Sequence, residues 1–161
     1  MLRIHRDYLR SSLFGVQDAL ISTGGAMVGI AIASNDKRIV LISGLVIVLV
    51  EAIAMASSEF VSDEIVHVID KKDRDNVFLS ALIMFFSYLI AGLIPVLPYI
   101  LFPLPQSIII SVIFSLLGLA VLGIFKGMIS KASLIKNSLE VVVIGGVVTI
   151  IGLLVGYILK I

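Results

Sequence analysis

Residues 39–61 read IVLISGLVIVLVEAIAMASSEFV. This run decides the fold, because about 20 mostly apolar residues are what a helix needs to cross the hydrocarbon core of a bilayer. It contains no proline, and its only ionisable groups are Glu51 and Glu59. The chain around it is equally apolar: 60% of its 161 residues are hydrophobic and its mean hydropathy is +1.20. A soluble domain is about 45–50% apolar, so a globule this small has nowhere to hide the surplus and lipid must cover it.

Working outward, four more stretches have the length and composition of spans: 12–33, 77–102, 107–125 and 141–159. The first holds Gln17 and Asp18, the third holds Pro95 and Pro98 near its end, and the fourth and fifth carry no charge. Residues 34–38 and 103–106 read as tight turns, the latter stiffened by Pro103 and Pro105. The segments 62–76 and 126–140 read as polar connections. The expectation is an all-α membrane protein, a single membrane domain over 1–161, with five transmembrane helices and a short polar cytoplasmic segment at 62–76.

Lysine and arginine placement sets the orientation. With the N-terminus cytoplasmic, Arg3, Arg6, Arg10, Lys71, Lys72, Arg74, Lys126, Lys131 and Lys136 lie inside. Lys37, Arg38 and Lys160 then lie outside, which favours N-terminus in and C-terminus out. The net charge of +1 and the absence of a basic tract give no sign of a nucleic-acid partner. There is no cysteine, which excludes disulfides and thiolate metal sites, and no tryptophan. The first apolar run is too long for a signal h-region, and no cleavable signal is expected.

Three acids fall inside the spans: Asp18, Glu51 and Glu59. Each costs about 2.5–3.5 kcal/mol at the bilayer centre on insertion scales, and no lysine or arginine lies within the apolar runs to neutralise them. Such acids hold a proton or await a cation. Glu51, Met55 and Glu59 recur every fourth residue on the second helix, and Asp18, Ser22, Gly25 and Gly29 form a stripe on the first. Running the helices in opposite directions puts Asp18 and Met55 at a similar depth, roughly 6–8 Å to the cytoplasmic side of the midplane. Carboxylates with a thioether suit Fe²⁺ or Mn²⁺ better than Mg²⁺ or Ca²⁺, and because metal binding requires deprotonated acids, ion and proton can exchange.

Structural readings compete at each position. Asp18 can serve a helix break or pair with Ser22, Glu59 can be a solvated acid at the headgroups, and Met55 can be packing. Gly24, Gly25, Gly29, Gly152 and Gly156 fit close helix approach better than ion contact. Beyond Glu59, Asp63, Glu64 and His67 offer a cytoplasmic metal entrance, Glu64 and His67 being an E-x-x-H pair. With five acids and three bases between Asp63 and Asp75, this segment also reads as a solvated helix end. Glu140 reads as an acid at the start of the fifth helix, favoured by its dipole.

At these residues the chain resembles the vacuolar iron transporter family. Residues 14–23, FGVQDALIST, are similar to the family's F-G-x-x-D-G-L-x-T, with Ala19 in place of a glycine. Residues 52–62, AIAMASSEFVS, are similar to A-L-S-M-A-x-G-E-Y-x-S, with Ser58 in place of a glycine. Residues 94–99, IPVLPY, look like P-L-L-P-Y, and Ile144–Gly145–Gly146 and Gly156 fall where the family has its fifth-helix glycines. The resemblance implies a homodimer with the path between protomers, and Fe²⁺ or Mn²⁺ exported from the cytoplasm in exchange for protons. It places Asp18 and Met55 among the metal residues. Two departures stand out: the position eight before the methionine, often acidic in iron-transporting relatives, is Ile47, with Glu51 one turn closer. The long acid-rich cytoplasmic domain between helices two and three is reduced to 62–76.

The expected function is therefore a proton-coupled Fe²⁺/Mn²⁺ exporter, not an enzyme, with no resident cofactor, in a prokaryotic plasma membrane. Its metal residues would be Asp18, Glu51, Met55 and Glu59. The rivals are a small proton-coupled multidrug or organic-cation antiporter, disfavoured by only 7% aromatics, and a non-transporting membrane scaffold, which would need no midplane carboxylate.

Overall fold

The computed structural model describes residues 6–70 and 76–160, with side chains over the same range except 67–70. Among the described residues there are five helices: α1 Arg6–Ser34, α2 Lys37–Asp70, α3 Val77–Leu101, α4 Leu104–Ser130 and α5 Leu134–Ile158. All five are long and apolar enough to cross a membrane.

The helices outrun the apolar stretches, and the connections shrink accordingly. α2 has 34 residues, about 51 Å at 1.5 Å per residue, against a hydrocarbon core of about 30 Å. Residues 62–70, read from sequence as part of a polar connection, carry no glycine or proline and simply continue the helix. The expected connection 126–140 is likewise mostly helix, with only 131–133 between α4 and α5. Glu140 is therefore not at a helix start. It is the seventh residue of α5 and faces Lys126 at 3.7 Å, an exposed pair that contributes little to stability.

Each turn has a local cause. Asn35 takes a left-handed conformation (φ 47°), which asparagine tolerates. The Asp36 carboxylate then accepts from the backbone N–H groups of Arg38 and Ile39 at the start of α2. α3 runs through Pro95 and Pro98 to Leu101. Pro103 caps α4 and Pro105 sits in its first turn, where a missing N–H costs nothing. Lys37 reaches across to the end of α3, its ammonium donating to the carbonyls of Ile100 and Phe102 at 3.2 and 3.0 Å. Asn76 caps α3, its side-chain oxygen accepting from Phe78 and Leu79 N–H. Asn76→Ala should cost about 0.5–2 kcal/mol, seen as a lower thermal midpoint by circular dichroism; an unchanged midpoint would remove the cap from the account.

α1 is the hub. It packs against all four other helices, and the neighbours α2–α3, α3–α4 and α4–α5 pack against each other in sequence. Among the described residues α2 and α5 make no comparable interface, so the arc around α1 stays open between them. Two apolar clusters fill the interior. One joins Leu20, Ala52, Tyr88 and Leu119; the other joins Met27, Val40, Val48, Val96 and Tyr99. α1 meets α5 through glycine on glycine. A Cβ at Gly29 would stand 2.8 Å from the Gly152 carbonyl oxygen, and Cβ atoms at Gly152 and Gly156 would collide with the carbonyls of Gly25 and Gly29. Of the most apolar 18-residue window of each helix, 44% is buried in α1 but only 22% in α2 and 17% in α5. The helices flanking the opening are thus the barest.

Candidate functional site

Asp18 lies half-buried on α1, one turn before Ser22. Glu51 lies exposed on α2, within Coulombic range of Asp18. Near them Tyr88 of α3 is fully buried, its hydroxyl 2.7 Å from that of Ser22 and within Coulombic range of both acids. Met55 is half-buried against the cluster that contains Tyr88 and Ala52. Asp18 and Glu51 are therefore neighbours near one tyrosine, although they come from two helices.

The α2 stripe does not stay on one face. Four residues advance a helix by about 400°, so each step of four rotates the side chain by about 40°. Glu51 is exposed, Met55 is half-buried and Glu59 is buried, at 9% exposure. The winding carries Glu59 into the α1–α2 contact. There it meets Arg10, whose Nη2 donates to Glu59 Oε1 at 2.9 Å and to Asp63 Oδ1 at 3.2 Å. The Ser11 hydroxyl donates to the same Glu59 oxygen at 2.5 Å.

This alters the charge picture drawn from sequence. The acids of the spans are not all without a cation, because α1 begins at Arg6 rather than at the apolar run and so lifts Arg10 to the level of Glu59. The sequence did contain the signal: residues 6–12 hold no glycine or proline that would delay the helix. Tyr88 carried none, being one aromatic in an apolar span. Glu64 points outward, exposed, while its neighbour Asp63 turns toward Arg10. The His67 side chain lies outside the described residues, as do Arg3, Lys71, Lys72 and Arg74.

Among the described residues no three His, Cys, Asp or Glu side chains gather closely enough to hold a metal ion. One chain thus presents two carboxylate pairs, Asp18 with Glu51 and Glu59 with Asp63, rather than a finished ligand set.

Four apolar spans about a fifth, central one, with an exposed carboxylate of α2 beside a half-buried one of α1, define a polytopic helical membrane protein with acids in its spans. The chain belongs to the VIT family, whose profile it matches over residues 9–65 and 63–157. It is 29% identical over 80 residues to vacuolar iron transporter 1 of Eucalyptus grandis, covering 49% of this chain and 32% of that protein. It is 40% identical over 55 residues to vacuolar iron transporter homolog 1 of Oryza sativa subsp. japonica, covering 34% and 24%. To the vacuolar iron transporter of Plasmodium berghei it is 27% identical over 106 residues, covering 62% and 39%. The matches span only about a quarter to two fifths of these relatives' length.

Proposed function

We propose that two copies of this chain form a transporter that moves Fe²⁺ or Mn²⁺ out of the cytoplasm, across the plasma membrane of a prokaryote, in exchange for protons. The observation that carries the reading is Glu51. It is exposed within a span, beside the half-buried Asp18, where facing lipid would cost about 2.5–3.5 kcal/mol for the charged group. A second copy seated on the open side of α1, between the bare helices α2 and α5, would take both acids out of lipid. It would also double the ligands to two Asp18, two Glu51 and two Met55 side chains. Such a set has oxygen for a hard or borderline ion and sulfur that favours Fe²⁺ or Mn²⁺ over Mg²⁺. Its carboxylates must lose protons to bind metal, which supplies the coupling. The vacuolar iron transporters named above agree with this cargo. The lysine and arginine distribution supports N-terminus in and C-terminus out, which puts the Arg10–Glu59 end at the cytoplasm.

The test is uptake of Mn²⁺ or Fe²⁺ into proteoliposomes with internal pH followed in the same vesicles. Metal should enter as protons leave. Glu51→Gln keeps the side chain's shape and removes its charge. Each chain loses one charge-assisted ligand bond, about 1.5–3 kcal/mol apiece, so initial flux through the pair should slow by about a hundredfold or more. Proton release driven by organic cations and not by metal would favour the antiporter of organic cations. No flux of any kind, with no metal bound, would favour the scaffold.

A further inference from the structure

We propose that Arg10 is a tethered cation that competes with the transported ion for the Glu59–Asp63 carboxylate pair, so that an ion enters from this end only by displacing the guanidinium. The proposal takes the identity of the competing ion from the transport reading above.

The geometry is that of an occupied cation site. A single atom, Arg10 Nη2, bridges Glu59 Oε1 and Asp63 Oδ1, which lie one helical turn apart on α2. An ion shared by those two carboxylates would sit at the same point, after a contraction from 2.9 and 3.2 Å to the roughly 2.0–2.6 Å of hard-cation ligation. Two hydroxyls stand by. Ser11 already contacts Glu59 from α1. Ser80 of α3 is fully buried beside Asp63, and its oxygen has no hydrogen bond of ordinary geometry. A buried hydroxyl left in that state has an acceptor oxygen to offer an ion.

The exposed and the enclosed parts are also distinct. The Glu59 and Asp63 side chains are only 10% and 13% exposed, whereas that of Arg10 is 58% exposed. Arg10, Ser11, Phe14, Glu59 and Ser62 line an opening of about 300 Å³, into which the guanidinium can swing without disturbing the acids. Arginine does not deprotonate in proteins. Its charge therefore cannot be switched off, and the pair becomes free only when Arg10 moves. A divalent ion offers two carboxylates more charge than one guanidinium does, so the exchange favours the ion once its hydration shell is shed. With no ion present, Arg10 keeps two buried acids from standing unpaired.

The experiment uses the full chain in detergent micelles and Mn²⁺ alone, with free Mn²⁺ read by electron paramagnetic resonance. Arg10→Gln should tighten Mn²⁺ binding at this site by about tenfold or more, since a like charge has been removed from it. Adding Asp63→Asn to that variant should erase the gain. The gain should persist in an Asp18→Ala background, which separates this site from the Asp18–Glu51 pair and keeps the result readable even where no transport is seen. In the wild-type protein, Mn²⁺ should raise the rate of phenylglyoxal modification at Arg10 several-fold, followed by peptide mass spectrometry. Unchanged Mn²⁺ affinity in Arg10→Gln, or a gain that survives Asp63→Asn, overturns the proposal. Should Arg10→Gln fail to fold, an unchanged or slower modification of wild-type Arg10 in Mn²⁺ overturns it equally.

Discussion

Asp18→Ala is expected to reduce metal flux to that of protein-free liposomes while leaving the helices and their packing intact. Both halves follow from the surroundings of Asp18. Among the described residues it makes no hydrogen bond or ion pair; its charged neighbour is another acid, Glu51. Removing it breaks no hydrogen bond or ion pair and relieves a repulsion between like charges in a poorly screened environment. The thermal midpoint should therefore hold or rise. Flux should vanish because a pair of chains would lose two of its four carboxylates at the seam, and no other described acid lies near enough to substitute. Asp18→Asn should behave in the same way, which would assign the effect to charge rather than shape. Flux at the wild-type rate in either variant would sink the assignment of Asp18 as a metal residue.

Gly152→Leu is expected to be the most damaging substitution to the fold. A Cβ there collides with the Gly25 carbonyl, and a backbone atom cannot rotate aside as a side chain can. α5 must move away from α1, opening the close glycine contact that joins them. Overpacking costs about 1–3 kcal/mol and occasionally more, and here the whole helix pair shares the displacement. The comparison is Gly146, one residue from the buried Gly145, where an added Cβ meets nothing within 4 Å. Gly146→Ala should be neutral or stabilising by about 0.5–1 kcal/mol, through the helix propensity of alanine. Far-UV circular dichroism melts in detergent compare the two directly, and equal midpoints for both variants would contradict the α1–α5 contact.

The five spans were legible because each is a long apolar run closed by a polar or proline-bearing turn. Their ends were less so. Hydropathy marks where lipid stops, while a helix stops only where its hydrogen-bond ladder is broken. That difference accounts for residues 62–70, for the residues of 126–140 that proved helical, and for a start of α5 expected just after Glu140 but found at Leu134. The same slippage hid Arg10, which sits before the first apolar run yet inside the first helix. The nearness of Asp18 to the acidic stripe of α2, at Glu51, could be read from depth alone, given two antiparallel helices. The division between Glu51 and Glu59 could not, because the slow winding of a four-residue stripe decides which member faces a neighbouring helix. Tyr88 became visible only once α3 was placed behind the other two.

The hub position of α1 bears on how the chain is made. Of the five helices, α1 is translated first, and it is the one that every later helix touches. Each span can therefore dock as soon as it is released, on a surface already in the bilayer. The exception is the glycine-lined flank of α1, whose partner α5 is the last of the five to be made. Until residue 156 emerges, Gly25 and Gly29 face lipid with backbone carbonyls that no side chain covers. A nascent chain stalled before α5 would expose that seam, and it would offer membrane quality control a clear mark of an unfinished protein.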